Sequence, residues 1–240
     1  MRRAVSCLLI CMILACGVCL IPVNAASLGI VTESLSEEEK AAFADKLSLE
    51  QILNDENKSG IQCFDVNEDG TVAIATGSGN HCAVYVYDSQ GTFQYGYRFS
   101  CDGDYGVVFC ENVLSLFFLR GDTFAFFDAS GRCIDAQKVT NPEQNHVYFK
   151  EILNRTVKEV AGRIYALERD LNLGDSYSRL VVSDEQGETT LIYDAGSDHI
   201  VAQIIGVVLV ILFFTVVITG LIKKRSMDCK CRKEDGSLPQ

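Results

Sequence analysis

Between residues 60 and 194 the chain is written in short apolar runs broken by polar turns that close on glycine. Runs of this length, rich in Val, Ile, Phe and Tyr and bounded by Asp, Asn, Ser and Gly, predict antiparallel strands joined by hairpins. Strands are expected near 61–66, 71–76, 83–88 and 92–99, then near 106–110, 113–119, 123–128 and 132–139. A third group begins with a strand or helix near 146–157 and continues with strands near 162–169, 179–183 and 188–193. The preceding stretch has a different pattern. Ser36 with Glu39 and Ser48 with Gln51 each form a capping-box spacing, which predicts two short helices, 36–46 and 48–55. Leu28-Gly29-Ile30-Val31 is a further segment available for strand pairing.

One device recurs in the strand region. An apolar strand runs into a polar turn ending on glycine, as in Tyr85-Val86-Tyr87-Asp88-Ser89-Gln90-Gly91. It returns in Phe126-Phe127-Asp128-Ala129-Ser130-Gly131 and in Val181-Val182-Ser183-Asp184-Glu185-Gln186-Gly187. The turn glycines are 40 and 56 residues apart, and the longer interval holds the insertion Asp170-Leu171-Asn172-Leu173-Gly174. Four short strands per unit at this period is the pattern of a propeller blade. On these Asp-x-x-Gly turns, residues 61–194 resemble the β-propeller superfamily, in particular bacterial exported repeats of the NHL and quinoprotein type. The resemblance implies a mainly β fold of about three four-stranded antiparallel blade-like units. Closed propellers have about four to eight blades. Three units therefore imply a partial or open propeller, or a stack of three sheets, with open edges available for pairing or for a second copy of the chain.

Both ends of the chain are apolar for another reason. Met1-Arg2-Arg3, an apolar stretch from Leu8 to Leu20, Pro22, and small residues in Val23-Asn24-Ala25 predict a signal segment, 1–25, cleaved after Ala25. The alternatives are an uncleaved anchor and, with a poor fit at Leu14, a lipidated Cys16. Residues 200–222 are 23 residues without a formal charge. At 1.5 Å per residue they extend roughly 34 Å, enough for a hydrocarbon core of about 30 Å. Lys223, Lys224 and Arg225 follow at once and predict a cytoplasmic C-terminal tail. The expected organisation is a signal at 1–25, a short helical segment at 26–59 and an extracytoplasmic β-repeat domain at 60–199. A single transmembrane helix at 200–222 and a basic cytoplasmic tail at 223–240 complete it.

Charge follows the same boundaries. Residues 27–199 carry 13 basic and 29 acidic side chains, a net of −16, whereas the tail 223–240 carries 6 and 3, a net of +3. An acidic body repels nucleic acid and anionic lipid, so no nucleic-acid partner is expected. The tail suits an anionic inner leaflet. Of 11 cysteines, Cys7, Cys11, Cys16 and Cys19 lie in the signal, and Cys229 and Cys231 lie in the tail, where acylation is one fate. Cys63, Cys82, Cys101, Cys110 and Cys133 remain, an odd number. Cys101 with Cys110, flanking a short connection, is the expected pair, and buried free thiols are the alternative.

Candidate chemistry is sparse. Asp65-Val66-Asn67-Glu68-Asp69-Gly70 matches the first six positions of a calcium loop, with Asp65, Asn67 and Asp69 as candidate ligands. The twelfth position is Thr76 rather than a bidentate carboxylate, and a plain hairpin turn explains the same residues. Calcium is thus the one candidate cofactor. Thr76-Gly77-Ser78-Gly79-Asn80 has no phosphate-loop spacing, and His81, His146 and His199 are far apart. Asp102 and Asp104 flank Gly103 in an acidic turn. Tyr85, Tyr87, Phe93, Tyr95, Tyr97 and Phe99 alternate along two neighbouring strands, as core or as an exposed ligand platform. The sequence predicts a non-enzymatic, membrane-anchored binding protein. Its partners are the lipid bilayer and a protein or cell-envelope component, with self-association through open sheet edges as a further possibility. An accessory or sensory subunit of a membrane complex, or an exported enzyme with unrecognised residues, are the alternatives.

Overall fold

The computed structural model describes residues 28–55, 58–169, 177–196 and 204–219. The expected signal segment, the insertion at 170–174 and the basic tail with Cys229 and Cys231 lie outside the described residues. The described residues fold into three antiparallel sheets. The N-terminal segment contributes β1 (Thr32–Ser34), α1 (Glu37–Leu47) and β2 (Glu50–Ile52). Sheet 1 is a meander of β3 (Ile61–Val66), β4 (Val72–Thr76), β5 (Cys82–Tyr87) and β6 (Phe93–Phe99). Sheet 2 is the equivalent meander of β7 (Tyr105–Cys110), β8 (Val113–Phe118), β9 (Thr123–Phe127) and β10 (Cys133–Val139). After α2 (Pro142–Asn154), sheet 3 repeats it with β11 (Val157–Val160), β12 (Arg163–Glu168), β13 (Arg179–Ser183) and β14 (Thr189–Asp194).

The turn device is one hydrogen-bond pattern. Asp88 Oδ1 accepts from the backbone N–H groups of Gln90 and Thr92, and the Gly91 N–H donates to the Asp88 carbonyl. Asp128 repeats this with Ser130, Arg132 and Gly131, and Asp184 with Gln186, Glu188 and Gly187. Each closes the last hairpin of its sheet. Gly91, Gly131 and Gly187 have φ of 80°, 83° and 80°, a conformation that strains any residue with a Cβ.

The sheets stack rather than close a ring. Sheet 1 is the middle layer, and its two sets of alternate residues face opposite ways. Cys63, Ala73, Ala75, Val84, Val86 and Tyr97 pack with Val107, Leu116 and Ala125 of sheet 2. Ile61, Phe64, Val72, Ile74, Tyr85 and Tyr87 pack with Tyr165, Leu180, Val182 and Tyr193 of sheet 3. Burial on both faces explains why β4 and β5 are apolar or aromatic at nearly every position rather than alternating. The tyrosine row is core: Tyr85, Tyr87 and Tyr97 are buried, and the exposed-platform alternative is not formed. The far face of sheet 2 is covered by α2. Phe117 stacks on Phe124 at 4.4 Å between centroids and meets Phe149 edge-on at 5.6 Å.

Two expectations for the N-terminal segment need correction. The helix at 36–46 forms with its Ser36–Glu39 capping box, but the second helix at 48–55 does not. Ser48, the residue expected to cap it, takes φ of 47° and ends α1, with its N–H bonded to the Ala44 carbonyl. The chain then turns into β2, which adds to the outer edge of sheet 1 beside β6. β1 adds in the same way to β10 of sheet 2, so the strand offered by the N-terminal segment lies just after 28–31. The ambiguous stretch near 146–157 is α2, started by Asn141 capping the Glu143 and Gln144 amides with Pro142 at its first position. Among the described residues no helix is long and apolar enough to cross a membrane. Residues 204–219 are helical, and the ends of the apolar run 200–222 lie outside the described residues.

Candidate functional site

The first residue of the calcium-like motif, Asp65, is 1% exposed on β3, where the first strands of all three sheets converge. One carboxylate oxygen accepts from the Phe109 amide of β7 at 2.8 Å. The other accepts from Arg155, immediately after α2, and from Lys158 of β11 at 2.7 Å. Lys158 Nζ also donates to the Val66 carbonyl at 2.6 Å. A single carboxylate therefore links sheet 1 to sheet 2, to the end of α2 and to sheet 3. Two side-chain cations occupy the oxygen that a calcium ion would need.

Asn67 and Asp69 do not join Asp65. Asn67 Oδ1 accepts from the Asp69 and Thr71 amides, and the Gly70 N–H donates to the Asn67 carbonyl. This is the same turn as at Asp88, Asp128 and Asp184, with Gly70 at φ of 80°. The motif is a fourth copy of the hairpin device, using Asn in place of Asp. Among the described residues, no three His, Cys, Asp or Glu side chains cluster as metal ligands would.

A second locus lies where sheet 1 passes into sheet 2. A cavity of about 160 Å³ is lined by Phe43 and Leu47 of α1, Phe118 of β8, and Cys101 and Asp102 of the connecting loop. Lys46 and Asp102 form an exposed ion pair at 3.2 Å on its rim. Its volume is below the ~300 Å³ at which ligand clefts begin, so it suits a group of a few atoms. Within its wall, Cys101 Sγ lies 3.2 Å from Cys82 Sγ. This corrects the expected pairing of Cys101 with Cys110, which is buried on β7. The two thiols share one hydrogen bond, which raises Cys82 and lowers Cys101 relative to an ordinary thiol. Burial pushes Cys63 up to about 12 and Cys133 up to about 11, so neither is a thiolate near neutrality.

The third locus is the outer face of sheet 3. The ladder register aligns Val157, Ala166, Val181 and Leu191 across all four strands, with Ile164 beside them. Val157, Ile164 and Leu191 are 54%, 46% and 49% exposed. Among the described residues, sheet 3 also lacks the added strand that covers the outer edges of sheets 1 and 2, so β14 ends its described part. Comparison with family models, with curated proteins and with solved structures gave no match. The site therefore rests on its own geometry. The cysteine pair and the two cations at Asp65 went unread in the sequence. Only the hairpin register hints at the first, because Cys82 pairs opposite Phe99, two residues before Cys101.

Proposed function

We propose that this chain is a non-enzymatic binding protein held at a membrane by the run 200–222, with its acidic body outside and its basic tail inside. The body is an open, propeller-like arc of three blades whose third sheet meets a protein partner. The carrying observation is the apolar row Val157–Ala166–Val181–Leu191, whose end members are 54% and 49% exposed on a face that no other described element covers. Sheet 1 is covered on both faces, and sheet 2 is covered by sheet 1 and α2. Exposed apolar patches of this kind mark interaction surfaces.

The chemistry of the face favours protein over lipid. Glu159, Glu168, Glu185 and Glu188 are exposed on sheet 3, and they repel an anionic membrane surface. The complement is a surface with an apolar centre and a basic rim. The partner sits close to the bilayer. β14 ends at Asp194, six residues before Ile200, which at most ~3.6 Å per residue spans about 20 Å. Exposed Ile204, Leu209, Phe213 and Val216 on the helical residues 204–219 support a lipid-facing segment there.

The test places a photo-crosslinking side chain at Leu191 of the full chain in its own membrane, with Glu38 of α1 as the control position. The expected result is a light-dependent adduct with one protein from Leu191 and none from Glu38. No adduct at Leu191, or the same adducts from both positions, overturns the assignment of this face.

A further inference from the structure

We propose that Cys82 and Cys101 form a redox-active dithiol, in which Cys101 attacks an external disulfide and Cys82 resolves the intermediate into an internal disulfide. The backbone already holds the two residues together. Cys82 opens β5 opposite Phe99 of β6, and the Cys101 N–H donates to the Gly79 carbonyl at 2.9 Å. Their sulfurs stand 3.2 Å apart, so a bond of about 2.05 Å needs a small closure and no strand movement. Both sulfurs also contact fixed carbonyls, Cys82 that of Gly79 at 3.3 Å and Cys101 that of Gly103 at 3.1 Å.

Exposure divides the roles. Cys82 is buried, whereas Cys101 is half-buried in the wall of the cavity beside α1. An incoming disulfide reaches Cys101 first. The hydrogen bond shared by the two sulfurs at 3.2 Å stabilises a thiolate at the more accessible Cys101, which is the attacking species.

The exchange balances. The Cys101 thiolate attacks one sulfur of a small disulfide oxidant of the glutathione class, forming a mixed disulfide and releasing one thiolate, which is protonated. Cys82 then loses its proton and attacks Cys101 Sγ, and the second oxidant thiol leaves. The protein loses two electrons and two protons, and the oxidant becomes two thiols. The internal disulfide pins the start of β5 to the loop joining sheets 1 and 2.

The test equilibrates the full chain with oxidised glutathione, quenches in acid, alkylates the remaining thiols and maps the peptides without reduction. The expected wild-type result is a peptide linking Cys82 to Cys101 and the loss of those two thiols from alkylation. In Cys82→Ser, glutathione remains attached to Cys101. In Cys101→Ser, Cys82 carries alkyl label and no glutathione. The proposal is overturned if both residues stay alkylated in the wild type, if Cys101 is joined to another cysteine, or if its glutathione adduct persists there. The wild-type map decides even if a variant fails to fold.

Discussion

Replacing Asp65 by alanine removes the carboxylate at which the three sheets meet. The change orphans the Phe109 amide, and a buried unsatisfied N–H costs about 1–3 kcal/mol. It also leaves Arg155 and Lys158 without their shared counter-ion, and breaking a buried pair costs about 3–5 kcal/mol in all. Their side chains keep 25% and 29% of their surface in solvent, so both re-hydrate in part. The lower end then applies, about 3 kcal/mol for the whole substitution. In a body of this size each kcal/mol moves the melting midpoint by about 2–4 °C, so Asp65→Ala is expected to lower it by about 6–12 °C. Asp65→Asn keeps an acceptor for the amide and should lose about half as much. The assay is circular dichroism of the full chain in detergent during heating. A second arm combines Asp65→Ala with Arg155→Ala and Lys158→Ala. The combined loss should fall short of the separate losses added together, because the partners share one interaction. A drop below about 2 °C for Asp65→Ala, or full additivity, refutes the assignment of Asp65 as the joint between the sheets.

Millimolar calcium should leave the same midpoint unmoved, since Arg155 and Lys158 hold Asp65 and Asn67 serves its own turn; a rise with calcium, read by the same melts, contradicts this. Gly131→Ala should destabilise by about 1–2 kcal/mol, because its φ is 83° and a Cβ would lie 3.0 Å from the Tyr97 ring; a thermal melt checks it. Leu191→Lys should change stability by no more than about 0.5 kcal/mol, measured by the same melt, while abolishing crosslinking from position 164 to the partner. The Thr92 amide holds the Asp88 carboxyl below the usual carboxylate range, and the Ser36 hydroxyl does the same for Glu39. A lowered native pKa stabilises above the unfolded value and is lost as pH falls through the native one. Melting midpoints should therefore fall below about pH 4, and Asp88→Asn should flatten that fall.

The strands were legible because their signals are local. An apolar run, an Asx residue and a glycine at the positive-φ position specify each closing hairpin within a few residues, as at Asp88–Gly91 and Asp128–Gly131. The capping box at Ser36 is equally local and formed as expected. Where two local patterns coincided, the sequence was ambiguous. Asn67–Gly70 satisfies both a calcium loop and a hairpin turn, and only the position of Asp65 against Arg155 and Lys158 separates them. Ser48 has the spacing of a helix start. The next residues become a strand because β6 offers an unpaired edge and Gly96 has no side chain, which lets Ile52 lie against it.

The sequence alone determined the three strand-rich units, their turns, the acidic body and the apolar run before a basic tail. Each depends on residues close together in the chain. Tertiary structure decided that sheet 1 lies between the other two, that α2 covers sheet 2 while no other described element covers the outer face of sheet 3, and that Cys82 meets Cys101. It also brought Arg155 and Lys158 to Asp65 across 90 and 93 residues of chain. Hydrophobic patterning sets which face of a strand is buried, but it is non-directional and does not say against which partner. The partner follows from how whole sheets stack, and the pairings of charge and sulfur follow from that.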